Sequence, residues 1–173
     1  MPPAIDFAAL SLVDALDLAI LIEDEARERY EEFADQMTQH HTPDAARFFS
    51  DMAVNEAKHG SELRERRERL FPTEPRRVTR EMLWDVEAPG FDEARMFMSA
   101  HDAMDVAMAA EIKAHDYFAA ALVHVTDADV KALFTELRDE EIEHQDMVRA
   151  AIEKLPPRSN VDPDDYADPP VSH

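Results

Sequence analysis

Apolar side chains recur at alternating steps of three and four residues through four long segments of the chain, the spacing that gathers them on one face of an amphipathic helix. In the first, from about Phe7 or Ser11 to His40, the stripe is Leu12, Leu16, Ala19, Ala26, Tyr30, Phe33 and Met37, with Ser11 and Asp14 as a candidate cap. The second opens on Thr42 as N-cap with Pro43 at the first helical position. It turns Phe49, Met52, Leu63 and Leu70 inward and is closed by Pro72 and Pro75. The third spans about Asp92 to Val125 with Phe97, Met104, Met108, Phe118, Leu122 and Val125 in its stripe. The fourth follows Thr126 with Leu133, Leu137, Val148, Ala151 and Leu155.

The connections between these segments fix how they can be arranged. The first and second segments, and the third and fourth, are joined by a few residues, which forces antiparallel neighbours. Residues 72–90 are a longer connector with a candidate short helix from Thr79 to Glu87 that presents Met82, Leu83 and Val86. A connector of this length extends to about 60 Å, enough to return along a bundle and leave the second and third helices parallel. The expectation is an all-α four-helix bundle over residues 1–155, two antiparallel hairpins joined by one long crossover. The remaining residues 156–173, rich in proline and aspartate and poor in apolar side chains, are expected to be a disordered tail. The hairpins echo each other: FFSDMAVNEAKHGSEL at 48–63 aligns with LFTELRDEEIEHQDMV at 133–148, the mark of an internal duplication.

Composition sharpens this picture. Two glycines in 173 residues leave little to interrupt long helices. The absence of cysteine excludes disulfides, iron–sulfur clusters, zinc–thiolate sites and thiol nucleophiles, so any metal must sit on oxygen and nitrogen. A formal charge of −21 disfavours nucleic acid and anionic membranes and favours cations. The apolar run from Leu10 to Ile22 is broken by Asp14 and Asp17 and has no basic segment before it, unlike a signal or spanning segment; the expectation is a cytoplasmic protein. Arginines at 64, 66, 67, 69, 76, 77 and 80 alternate with acidic residues near the end of the second helix and read as a solvated surface.

A few side chains break the apolar stripes. Glu23 interrupts the first stripe and Glu111 the third; the second carries Glu56 and His59, the fourth Glu141 and His144, each pair as Glu-x-x-His. Residues three apart share a helix face, so each pair offers an oxygen and an imidazole nitrogen to one region of space. An ionised carboxylate buried alone is costly, and several converging would repel, whereas a pair of metal ions removes both penalties. All four glutamates fall near the middle of their helices, so they lie at one level whichever way each helix runs. His115, one turn after Glu111, is a candidate further ligand or ligand partner, and His101, further off, reads as structural. Tyr30, two turns after Glu23 on the same face, is a candidate to hydrogen-bond a ligand or to take part in one-electron chemistry, with plain core packing the alternative.

One Glu, Glu-x-x-His, one Glu, Glu-x-x-His is an order that resembles the ferritin-like di-iron carboxylate superfamily, and IEDEARERYEEFA at residues 22–34 is similar to the first helix of its rubrerythrin-like branch. The resemblance implies Glu23, Glu56, His59, Glu111, Glu141 and His144 as ligands of two iron ions, or manganese, with Tyr30 close by. The sequence departs from that branch in lacking a four-cysteine rubredoxin domain and in carrying Ala114 where a second glutamate is typical. The six-ligand set is thereby closer to the ferroxidase centres of ferritins and bacterioferritins. The implied activity is oxidation of Fe(II) by O2 or H2O2, of ferroxidase or peroxidase type, with an external electron donor and a homodimer or larger homo-oligomer. Iron storage or delivery within a shell, oxygenation of an organic substrate, and a metal-free helical interaction module are the alternatives.

Overall fold

The structure, a computed structural model, describes residues 4–39, 41–83 and 99–158. Four long helices make up most of it: α1 (Leu12–Gln39), α2 (Pro43–Leu70), α3 (Ala100–His124) and α4 (Ala128–Lys154), with a short 3-10 helix at Arg80–Leu83 between α2 and α3. The expected start of the third helix, including Phe97, the end of the short connector helix with Val86, and the tail beyond Arg158 lie outside the described residues. No helix among the described residues is long and apolar enough to cross a membrane.

Local chemistry sets the helix ends. Ser11 Oγ accepts from the Asp14 amide at 3.3 Å, as the sequence predicts. Between α1 and α2 the chain reverses through His41 at φ 58°, in the left-handed region. The Thr42 amide bonds Met37 O at 2.9 Å and the His41 amide bonds Thr38 O at 3.2 Å, so α1 closes in a Schellman cap whose left-handed residue is a histidine. Thr42 stands at the N-cap of α2 before Pro43, but its hydroxyl caps no amide of α2; it donates back to Met37 O at 3.0 Å. Ser99 and Asp102 form a reciprocal capping box at the start of α3, and Asp127 accepts from the amides of Asp129 and Val130 at the start of α4.

Two apolar clusters fill the core, one near each end. At one end Leu16, Ile20 and Leu63 meet Phe118, Leu133, Phe134 and Leu137. At the other Tyr30, Phe33, Met37, Phe49 and Met52 meet Met104 and Val148. From the first cluster to the second, residue numbers rise along α1 and α4 and fall along α2 and α3. Each hairpin is therefore antiparallel while α2 and α3 run parallel, as expected of a crossover between hairpins.

Two expectations about α2 are corrected. Leu70, placed inward by the sequence pattern, is 46% exposed. The inward position one turn earlier belongs to Arg67, which the sequence pattern assigned to the solvated surface and which is buried. Its Nε and Nη2 donate to the carboxylate of buried Asp17 at 2.8 and 3.2 Å, while Nη1 and Nη2 donate to the carbonyls of Phe71 and Glu74 at 2.6 and 2.8 Å. Neighbouring arginines also reach other elements: Arg64 pairs with Asp24, Arg66 with Glu136 at 3.4 Å, and Arg80 bidentately with Glu28 at 2.7 and 3.0 Å.

Candidate metal centre

Between the two apolar clusters each helix sends carboxylates inward. Glu23 on α1, Glu56 on α2, Glu111 on α3 and Glu141 on α4 are all buried, as is His144, and His59 is half-buried. The structure therefore brings all six expected ligands to one level.

The geometry around His144 is informative. Its Nδ1 lies 3.3 Å from Glu56 Oε1, 3.3 Å from Glu111 Oε2 and 3.4 Å from Glu141 Oε2. None of the three is aligned as a hydrogen bond, so a buried ring nitrogen faces three carboxylates without a partner. Its other nitrogen, Nε2, is 3.1 Å from the Asn55 side-chain amide. With Nδ1 given to a cation, Nε2 carries the ring proton and donates to the Asn55 carbonyl, which rotation of that amide supplies. The His59 ring stacks on His144 with centroids 5.4 Å apart and planes 13° from parallel. His59 Nδ1 is likewise buried without a hydrogen bond, 3.8 Å from Glu140 Oε2. Potential ligand atoms approach within 4.8 Å of one another in three overlapping groups: Glu56, His59 and His144; Glu23, His59 and Glu140; and Glu111, Glu141 and His144.

Electrostatics agree with the geometry. Burial raises the carboxyls of Glu23 and Glu56, Glu56 well above the usual range because Glu23 adjoins it. Burial, partly countered by the adjacent His144 ring and reinforced by Glu111, pushes Glu141 up to about 7. Burial and the nearby charges of Glu23 and Glu136 do the same to Glu140, also about 7. At His144 burial opposes the charged ring, but Glu111, Glu141 and Glu56 outweigh it and push the imidazole up to about 12. Buried acids thus hold protons that cations would replace, and orphaned ring nitrogens point among them. This donor set of carboxylate oxygens and imidazole nitrogens fits divalent first-row metals by ligand type.

Tyr30 packs against Phe33 and Phe49 and donates its hydroxyl to Glu111 Oε1, so the expected hydrogen bond and core packing occur together. His115 stays outside the groups, half-exposed with Nδ1 3.0 Å from Asp116 Oδ1. His101 Nε2 meets Pro156 O at 2.6 Å and ties the end of α4 to the start of α3. Sequence reasoning missed Asn55 and Glu140. Both immediately precede the glutamate of a Glu-x-x-His, at equivalent places in the repeated hairpin, and that repetition was the available signal.

Comparison with known proteins bears on this geometry. A family model described as Rubrerythrin matches residues 14–152. A crystal structure of an uncharacterized conserved protein from Magnetospirillum magnetotacticum MS-1 is similar, with 33% sequence identity and a TM-score of 0.69 over 85% of this chain and 97% of that one. No curated protein matches.

Proposed function

The chain belongs to the rubrerythrin family, and we propose on that premise that it is a di-iron oxidoreductase that oxidises Fe(II) with O2 or peroxide. The observation that carries the reading is the buried ring of carboxylates around the unpartnered Nδ1 of His144, 3.3–3.4 Å from three of them. Glu111, Glu141 and His144 would hold one ion, and Glu23 and His59 the other, with Glu56 lying between the two histidines. Iron held there supplies one-electron redox chemistry by cycling between its ferrous and ferric states.

The protein's own residues do the rest. The four buried carboxylates balance the charge of two divalent ions and favour the higher oxidation state, because anionic oxygen stabilises added positive charge. The Tyr30 hydroxyl holds Glu111 in one orientation, and Asn55 orients the His144 ring through its outer nitrogen. Apolar packing on both sides, with Phe118 and Leu137 at one end and Phe49, Met52 and Met104 at the other, keeps bulk water from the carboxylates.

The test is elemental analysis of protein purified anaerobically from iron-replete cells, beside a Glu56→Ala, Glu141→Ala double variant. The expected result is about two iron per chain, lost in the variant, with O2- or peroxide-driven absorbance change on Fe(II) addition only in the parent. Protein that takes up no iron at all would end the di-iron reading.

A further inference from the structure

Without Glu140 the two halves of the centre are unequal. Glu111, Glu141 and His144 form one compact group, whereas on the other side Glu23 and His59 are left to share Glu56 with His144. We infer that Glu140 is a metal ligand that completes a second three-residue set with Glu23 and His59, leaving Glu56 between the sets. This assignment rests on the di-metal reading above and adds to its six ligands.

Glu140 lies within reach of such an ion. Ligand atoms from Glu23, His59 and Glu140 all lie within 4.8 Å of one another. Atoms on a common ion are at most about 4.4 Å apart, twice a bond of about 2.2 Å, so small side-chain adjustments bring the three onto one ion. Glu140 does not bond the histidine it faces. Its Oε2 stops 3.8 Å from a buried His59 Nδ1 that has no hydrogen bond, so the two face each other across a gap where a direct bond would have closed it.

The internal repeat distinguishes Glu140 from its counterpart. Asn55 and Glu140 occupy equivalent positions, and each reaches the histidine of the other hairpin. Asn55 meets His144 at Nε2, the nitrogen opposite the one that faces the carboxylates, and so acts on the ring from outside. Glu140 meets His59 at Nδ1, the counterpart of the nitrogen that His144 turns toward its three carboxylates. An amide behind a ring orients it; a carboxylate in front of the ring nitrogen shares its ion. The two equivalent positions therefore serve differently, as an orienting residue in one hairpin and a ligand in the other.

Calorimetric titration of metal-free protein with Mn(II) alone, in the parent and in Glu140→Gln, tests this. Glu140→Gln keeps the size of the side chain, removes a charge beside Glu23, and leaves the helix intact. Glu136→Gln, which alters an exposed carboxylate one turn earlier on α4, is the control. The expected result is two ions bound by the parent and by the control. Glu140→Gln should bind its first ion as the parent does and its second at least about tenfold more weakly. Electron paramagnetic resonance at two equivalents should then show coupled ions in the parent and an isolated-ion spectrum in Glu140→Gln. Two ions of parental affinity in Glu140→Gln would remove Glu140 from the ligand set while leaving the di-metal reading standing. A parent that binds no ion would overturn both.

Discussion

Tyr30 on α1 reaches Glu111 on α3, its ring held by Phe33 and Phe49 and its hydroxyl donating to Oε1. Tyr30→Phe keeps the ring contacts and deletes the donor, so the metal-free protein is expected to lose about 1–3 kcal/mol, read as a lower urea midpoint at unchanged slope. The pairing shows what a residue's neighbourhood in sequence can convey. That Tyr30 shares a face with Glu23 is legible from their spacing, but its partner is 81 residues away and follows only from the packing. Glu140 was hidden for a related reason: one position before Glu141 it lies about 100° round the helix from the apolar stripe, where an acidic residue reads as solvated. The raised carboxyls also give a pH dependence. Glu140 and Glu141 are pushed from 4.5 to about 7 on folding, so the folded metal-free protein holds their protons more tightly than the unfolded chain does. Their contribution is whole below about pH 4.5 and is lost as pH rises through about 7. His144, raised from 6.5 to about 12, changes stability in the same direction over a higher range. Metal-free protein is therefore expected to melt at a lower temperature at pH 8 than at pH 5, a trend that scanning calorimetry in chelator measures directly. Saturating metal should reverse it, because cations favour the ionised carboxylates.

At the scale of the helices, stripes at helical spacing made four elements and their inward faces legible, since apolar burial and backbone periodicity speak together in one stretch of sequence. What escaped was any feature that depends on a second element. Arg67 sits in a run of arginines and glutamates that resembles a solvent face; only the approach of α1, with Asp17 at the matching height, turns it inward. The same residue then holds the carbonyls of Phe71 and Glu74 and so fixes how the chain leaves α2. Arg67→Ala is expected to cost about 3–5 kcal/mol because it strands a buried carboxylate, while Arg67→Met combined with Asp17→Leu should cost far less; chemical denaturation of both tests the difference. The α1–α2 turn offers the opposite experiment. His41 holds a left-handed conformation at φ 58°, which carries a penalty for a residue with a Cβ. His41→Gly is expected to raise stability by up to about 1 kcal/mol without altering the metal centre, seen as a higher melting temperature at equal metal content.

For the whole molecule, the balance of charge ties folding to cations. A chain with a formal charge of −21 repels itself, and part of that charge is concentrated in the buried glutamates. Ions that bind only the folded state add about 2.7 kcal/mol at a hundredfold excess over the dissociation constant. Fe(II) or Mn(II) should therefore raise the melting temperature by about 5–10 °C, far beyond the effect of Mg(II) at the same ionic strength. The direction of each helix was legible from connector lengths, because a few residues can only reverse the chain and about twenty can carry it back along the bundle. The pairing across the middle was not, since Asn55 with His144 and Glu140 with His59 each join one hairpin to the other. The stacked rings of His59 and His144, 5.4 Å apart, come from corresponding places in the two hairpins. Each half of the chain thus holds half of the centre and borrows the rest from its counterpart. A substitution in either hairpin is therefore felt by the histidine of the other, so neither half could be exchanged or truncated without disturbing both.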